Sequence, residues 1–139
     1  MSGVAPRRDR ERTGRRAEAV AGWWLRLKGF ELLATRWRAK VGEIDLVARR
    51  GELVVFVEVK RRATLAAAAE ALTAANRERV ARAAAHYLAR HPELAACDLR
   101  FDAVLLAPWS PPRHLRGAWD GDGVTAGSRT ARAPRRAPR

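Results

Sequence analysis

Cysteine, lysine, aromatic residues and long apolar runs are all scarce in this chain, and each scarcity excludes something. The single cysteine, Cys97, rules out an internal disulfide and agrees with a reducing compartment. Aromatic residues make up 6% of the sequence although 47% of it is hydrophobic, and much of the apolar share is alanine, as in the run Ala66 to Ala69. The core is therefore thinner than the hydrophobic fraction suggests. No stretch approaches the roughly 18 consecutive apolar residues a membrane span needs, and no apolar segment of signal-peptide type follows the arginine-rich start. The expected location is cytoplasmic, with no membrane partner. Lysine occurs three times, at Lys28, Lys40 and Lys60, against 25 arginines.

What is present is charge of one sign. The 139 residues carry a formal net charge of +13 at pH 7, which favours polyanionic partners such as nucleic acid. The charge is concentrated at the ends. Residues 1 to 16 hold six arginines against Asp9 and Glu11, and residues 113 to 139 hold seven against Asp120 and Asp122, so +9 of the +13 is terminal. A coding bias toward arginine and alanine would give the same pattern, and charge alone supports nucleic-acid binding only in part.

The length suits one domain with a hydrophobic core of its own. Residues 1 to 13 are polar and aperiodic and read as a disordered basic arm. Residues 120 to 139, rich in Gly, Pro, Ala and Arg, read as a disordered basic tail. The folded unit is expected over 14 to 119.

From Gly14 to Lys28, Ala17, Val20, Ala21, Trp24, Leu25 and Leu27 recur at helical spacing, and Gly29 stands where a helix commonly stops. A first strand is expected over Phe30 to Arg38. Glu43 to Arg49 and Leu53 to Lys60 form a β-hairpin around Arg50 and Gly51. A second helix runs from about Glu70 to Arg90, where Pro92 forbids continuation, and residues 98 to 107 form a last strand closed by Pro108. The order α, β, β, β, α, β predicts an α/β fold with a mixed sheet and helices packed against it.

The hairpin carries the chemistry. Strand alternation puts Glu43 and Asp45 on one face and Ile44, Leu46 and Ala48 on the other. A two-residue turn at Arg50 and Gly51 pairs Arg49 with Glu52, Asp45 with Phe56 and Glu43 with Glu58, so Glu43, Asp45, Glu58 and Lys60 share a face. Carboxylates that close repel one another unless a cation intervenes. Magnesium, or manganese in its place, suits such a site, with Asp45, Glu58 and Glu43 as candidate ligands and phosphate oxygens completing the shell. Lys60 could orient or deprotonate an attacking water, or stabilise a pentacoordinate phosphate. Glu58 and Lys60 read equally as a surface ion pair at a strand end. The rarity of lysine favours the functional reading, because lysine can change protonation where arginine cannot.

The run Gly42-Glu43-Ile44-Asp45-Leu46-Val47-Ala48-Arg49, followed by Val55-Phe56-Val57-Glu58-Val59-Lys60-Arg61, resembles the signature of the YraN family, small bacterial proteins of the restriction-endonuclease-like, PD-(D/E)XK group. The likeness extends from Gly14 to about Asp102. It takes in Gly14, Ala17 and Glu18, the pair Trp37 and Arg38, and Arg100-Phe101-Asp102. It implies a three-layer αβα sandwich with Asp45, Glu58 and Lys60 as the catalytic motif, and Glu18 as an additional acidic residue brought toward the metal. Two positions depart from the family pattern. Arg61 stands where a threonine or similar residue is usual, and Asn76 beside Arg77 stands where a lysine is usual. Arg38, Arg61, Arg62 and Arg77 are the candidate nucleic-acid contacts.

His86, His91 and His114 make no metal-ligand spacing with Cys97 and are assigned no role. Serine is scarce and lacks a nucleophile elbow, which argues against a serine hydrolase. Trp23 and Trp24 could stack on bases, but adjacent helical residues point apart, and Trp24 belongs to the expected core. The reading that follows is a metal-dependent phosphodiesterase acting on DNA, with branched or recombination-type structures suggested by relatives in the broader fold group. A non-catalytic nucleic-acid-binding module that keeps the nuclease fold is the alternative. A protein-interaction subunit with solubilising tails is a third reading.

Overall fold

The computed structural model describes the backbone of residues 7 to 119 and the side chains of 14 to 119. The expected tail at 120 to 139 lies outside the described residues, as does the arm up to residue 6. Residues 7 to 13, expected as part of that arm, belong to helix α1, which spans Arg7–Leu27. Their sequence lacks Pro and Gly and is mostly arginine, a good helix former. The helix ends in a glycine cap. Gly29 takes φ 93° and its N–H bonds the Arg26 carbonyl, while the Phe30 N–H reaches back to the Leu25 carbonyl at 3.0 Å.

Three strands follow, β1 (Glu31–Ala39), β2 (Gly42–Arg50) and β3 (Leu53–Arg61). The second expected helix starts four residues late, at Ala74, and a short helix that the sequence did not suggest precedes it. A short α2 covers Leu65–Glu70 and α3 covers Ala74–Ala89, each with its own N-cap. Thr64 accepts from the Ala67 N–H and Thr73 from the Asn76 N–H, so the chain restarts its helix at Thr73 rather than running through. Leu72, expected on a helical face, lies between them and is buried. After a 3-10 turn at Pro92–Leu94 come β4 (Asp98–Leu106) and β5 (Arg113–Trp119), the latter not expected from the sequence.

The sheet order is β1-β2-β3-β4-β5, with β3 and β4 parallel and the other neighbours antiparallel. A parallel pair needs a crossover, and α3 supplies it. Central β3 is covered on both faces, which explains its unbroken apolar run: Val54, Val55, Phe56 and Val57 are all fully buried. On one face, Ala17, Ala21 and Leu25 of α1 pack on Leu46, Val55, Val57 and Val104. On the other, Val80, Ala84 and Tyr87 of α3 pack on Val47, Val54, Phe56 and Phe101. The result is the expected three-layer αβα sandwich with a mixed sheet. Among the described residues no helix is long and apolar enough to cross a membrane.

Candidate active site where β2 and β3 part

The β2–β3 ladder runs from Arg50↔Leu53 to Leu46↔Val57 and stops there, although both strands continue. Beyond that point β2 stays paired with β1, down to Ala39↔Gly42, and β3 with β4, up to Arg61↔Leu106. A fork opens between them. The Asp45 carboxylate enters it, and its Oδ2 accepts the Val59 backbone N–H at 2.8 Å, taking over from a ladder carbonyl.

This geometry corrects the expected register. The turn residues are Gly51 and Glu52, with Gly51 at φ 62°, and Arg50 pairs with Leu53. Every pairing is therefore displaced by two residues from the expected set. A two-residue displacement keeps each side chain on its face, so the faces deduced for the paired part survive the error.

A second correction concerns the alternation itself. Ile44 was expected on the face of Leu46 and Ala48. Instead Ile44 and Val47 join the α3-side core, whereas Leu46 and Ala48 join the α1-side core. Alternation slips once between Ile44 and Val47, which releases Asp45 from the α3 face. Arg36, which falls opposite Asp45 between the pairs Thr35↔Leu46 and Trp37↔Ile44, takes φ 50°, an uncommon conformation for a residue with a side chain. The slip brings Asp45 to Glu18 of α1.

Four of the sequence-derived residues are thereby brought together. Lys60 Nζ lies 3.0 Å from Glu58 Oε2, with both side chains largely shielded from water. Glu18 is held by Arg36, whose Nε donates to Glu18 Oε1 at 2.7 Å. Burial pushes the Glu58 carboxyl up to about 8, helped by the charge of Asp45 and opposed by Lys60. Burial also pushes Glu18 up to about 7, opposed by the Arg36 hydrogen bond and reinforced by Asp45. Asp45 is raised as well, first by burial; the Val59 N–H and a hydrogen bond with Glu58 oppose this, while the charge of Glu43 adds to it.

Glu43 stands apart from this cluster. It is exposed and pairs with Arg38 across the β1–β2 ladder at 3.4 Å, so it is not opposite Glu58 as expected. Arg38 is itself exposed. Arg61 and Arg62 follow Lys60 at the end of β3 and are exposed, the Arg62 guanidinium bonding the Arg61 carbonyl at 2.8 Å. Arg77 lies exposed in the first turn of α3, a separate element from the fork.

Arg100 and Asp102, part of the family likeness but given no role from the sequence, belong to a buried network on β4 and β5. Asp102 is fully buried and receives Arg100 through two 2.8 Å bonds, His114 Nε2 at 2.7 Å and the Gly117 N–H at 2.9 Å. Burial works against its charge, but these donors together outweigh it and hold the carboxyl below its ordinary range. His114 Nδ1 meets Lys28 Nζ at 3.0 Å, which ties the end of α1 to β5. No spacing in the sequence links His114 to Asp102, twelve residues earlier; only the β4–β5 pairing does.

A divalent cation suits the donors at the fork. Among the described residues no three His, Cys, Asp or Glu groups are spaced as a ready cage. Magnesium, however, takes one or two carboxylates and keeps several waters, and Asp45 with Glu58 supplies that number.

Comparison with known proteins shows the family. Residues 17 to 106 match the model of a family described as "Uncharacterised protein family UPF0102". A UPF0102 protein of Paramagnetospirillum magneticum is 57% identical over 113 residues, covering 78% of this chain and 88% of the relative. One from Bartonella tribocorum is 43% identical over 125 residues, covering 88% and 96%. A third, from Methylorubrum extorquens, is 52% identical over 120 residues, covering 86% and 94%. The matched span runs from α1, one residue ahead of Glu18, to the end of β4, and so contains every member of the fork; the chain belongs to the UPF0102, or YraN, family.

Proposed function

We propose that this protein is a magnesium-dependent phosphodiesterase that hydrolyses DNA, with branched or recombination-type structures among its substrates. One observation carries the reading: three carboxyl groups and an ammonium, drawn from three elements of the fold, meet where two central strands part. Burial disfavours the charged form and the neighbouring Asp45 charge adds to this, which is why Glu18 and Glu58 hold their protons to about 7 and about 8. Structural roles do not require such an arrangement, whereas perturbed acids clustered at a strand end are common at functional sites.

Asp45 and Glu58 would hold the ion, magnesium or manganese, which lowers the pKa of a bound water and offsets charge developing on the phosphate. Lys60, fixed beside Glu58, would orient that water, take its proton or donate to the developing oxyanion. Glu18 would accept a proton or a water from the α1 side. The exposed Arg38, Arg61, Arg62 and Arg77 would contact phosphates without reading sequence, giving salt-dependent binding. Glu43 acts on Asp45 through its charge.

The test is a titration of magnesium or manganese into the purified protein with linear, nicked and branched DNAs. Cleavage that requires the metal and disappears in Asp45→Ala and Lys60→Ala supports the reading. Cleavage retained by pure Lys60→Ala overturns it.

One observation favours a second reading, a non-catalytic nucleic-acid-binding module. A protonated Glu58 can share its proton with Asp45, so the cluster is neutralised without metal. That reading expects no metal binding at the fork, and loss of most DNA binding when residues 1 to 13 and 120 to 139 are deleted.

A further inference from the structure

Helix α1 carries a second surface chemistry beyond Glu18, toward its C-terminal end. Arg15, Glu18, Trp23 and Arg26 lie along one side of it and line a groove whose opposite wall is Leu32 and Thr35 of β1. Trp23 is 64% exposed, while its neighbour Trp24 is half-buried. The Arg26 guanidinium stands 5.3 Å over the Trp23 ring. Arg15 is exposed too, so the groove offers two cations and an exposed aromatic ring, and it ends at an acidic group of the fork.

We infer that this groove binds an unpaired stretch of DNA, one base stacking on Trp23 while Arg15 and Arg26 hold the flanking phosphates. Every base has a π-face, but within a duplex both faces are covered by neighbouring pairs, so an aromatic platform selects unpaired nucleotides. The cation–π contact at an exposed site is weaker than base stacking, and an arriving base displaces Arg26 toward the backbone. The spacing is suitable. Trp23 lies five residues beyond Glu18, about 7.5 Å along the helix axis, or about two steps of a stacked strand. A strand seated on Trp23 thus passes the fork within two nucleotides of the stacked base. This deepens the proposed function by naming the form of DNA the site takes. It rests on that reading only for where the strand leads.

The experiment measures anisotropy of a labelled oligothymidylate and of a blunt duplex of equal length, with the full chain in EDTA. Trp23→Ala should weaken oligothymidylate binding about ten-fold and duplex binding less than about two-fold, and Trp23→Phe should restore most of the loss. Arg26→Ala should reduce the salt slope by about one. Thermal melting should not move, because Trp23 is exposed. Oligothymidylate bound equally well by Trp23→Ala, both probes weakened alike, or no binding by the unsubstituted chain would each overturn the inference. Because cleavage is blocked in EDTA, failure of the nuclease reading leaves this result standing, and metal-dependent cleavage beside an inert Trp23 removes this inference alone.

Discussion

The Val59 backbone N–H bonds the Asp45 carboxylate at 2.8 Å at the point where the ladder between their strands has ended. One carboxyl group therefore does two things: it satisfies a part-buried backbone donor and it faces Glu18 and Glu58.

Two substitutions at Asp45 separate those roles. Asp45→Asn keeps an oxygen for the Val59 N–H and removes a charge that burial and the charge of Glu43 oppose. It should be at least as stable as the unsubstituted chain at neutral pH. Asp45→Ala leaves the donor unpaired and should be less stable than Asp45→Asn by roughly 1–3 kcal/mol. Both should lose cleavage. Urea unfolding gives the order, and Ala more stable than Asn would contradict the role of the bond.

Stability should fall with pH in the metal-free protein. Glu58 and Glu18 titrate near 8 and 7 when folded, against 4.5 for the ordinary group, so the folded state binds more protons between those values. Their contribution is complete below about 4.5 and is lost as pH rises through 7 and 8. Melting temperatures in EDTA should decline over that window, and Glu58→Gln should flatten the decline. Magnesium should reverse the sense, since an ion competes with protons for the same oxygens. Its stabilisation should be larger at pH 8.5 than at pH 6 on this linkage. Equal shifts at both values would count against metal at Asp45 and Glu58.

Lys60→Arg retains a cation beside Glu58 but replaces an amine with a guanidinium, which cannot act as a base. If Lys60 handles the proton of the attacking water, kcat should drop by roughly 10²–10⁴ with little change in melting. Activity preserved in Lys60→Arg would leave Lys60 an electrostatic role only.

Gly42 is required by packing rather than by chain flexibility. A Cβ there would run into the backbone carbonyl of Arg79 on α3. Gly42→Ala must push α3 away from the start of β2 and should destabilise by about 1–3 kcal/mol, measurable by thermal melting. An unchanged melting temperature would show that α3 moves aside freely.

Much of the fold follows from local pattern. The period of α1 and its Gly29 stop, the alternating β2, the unbroken apolar β3 and the barrier at Pro92 are properties of neighbouring residues. The break at Thr73 was locally encoded too, by a capping side chain three residues from Asn76, but the alanine-rich helical stretch around it concealed the signal. β5 was hidden differently. Its arginine, histidine and glycine carry little strand propensity, and it is held by pairing with β4 and by the bond from His114 to Asp102.

The residue types of the site, and the faces in the paired part of the hairpin, were set by sequence alone, because a strand's period of two survives an error of two in register. Where the pairing stops was not. The fork depends on β1 and β4 claiming the outer ends of β2 and β3, and the slip that turns Asp45 toward α1 is made jointly by two strands around Arg36. Glu18 is 27 positions from Asp45 and 40 from Glu58, and only the packing of α1 across the sheet carries it to them. Chemistry that depends on distances in space, between groups far apart along the chain, is decided by tertiary structure.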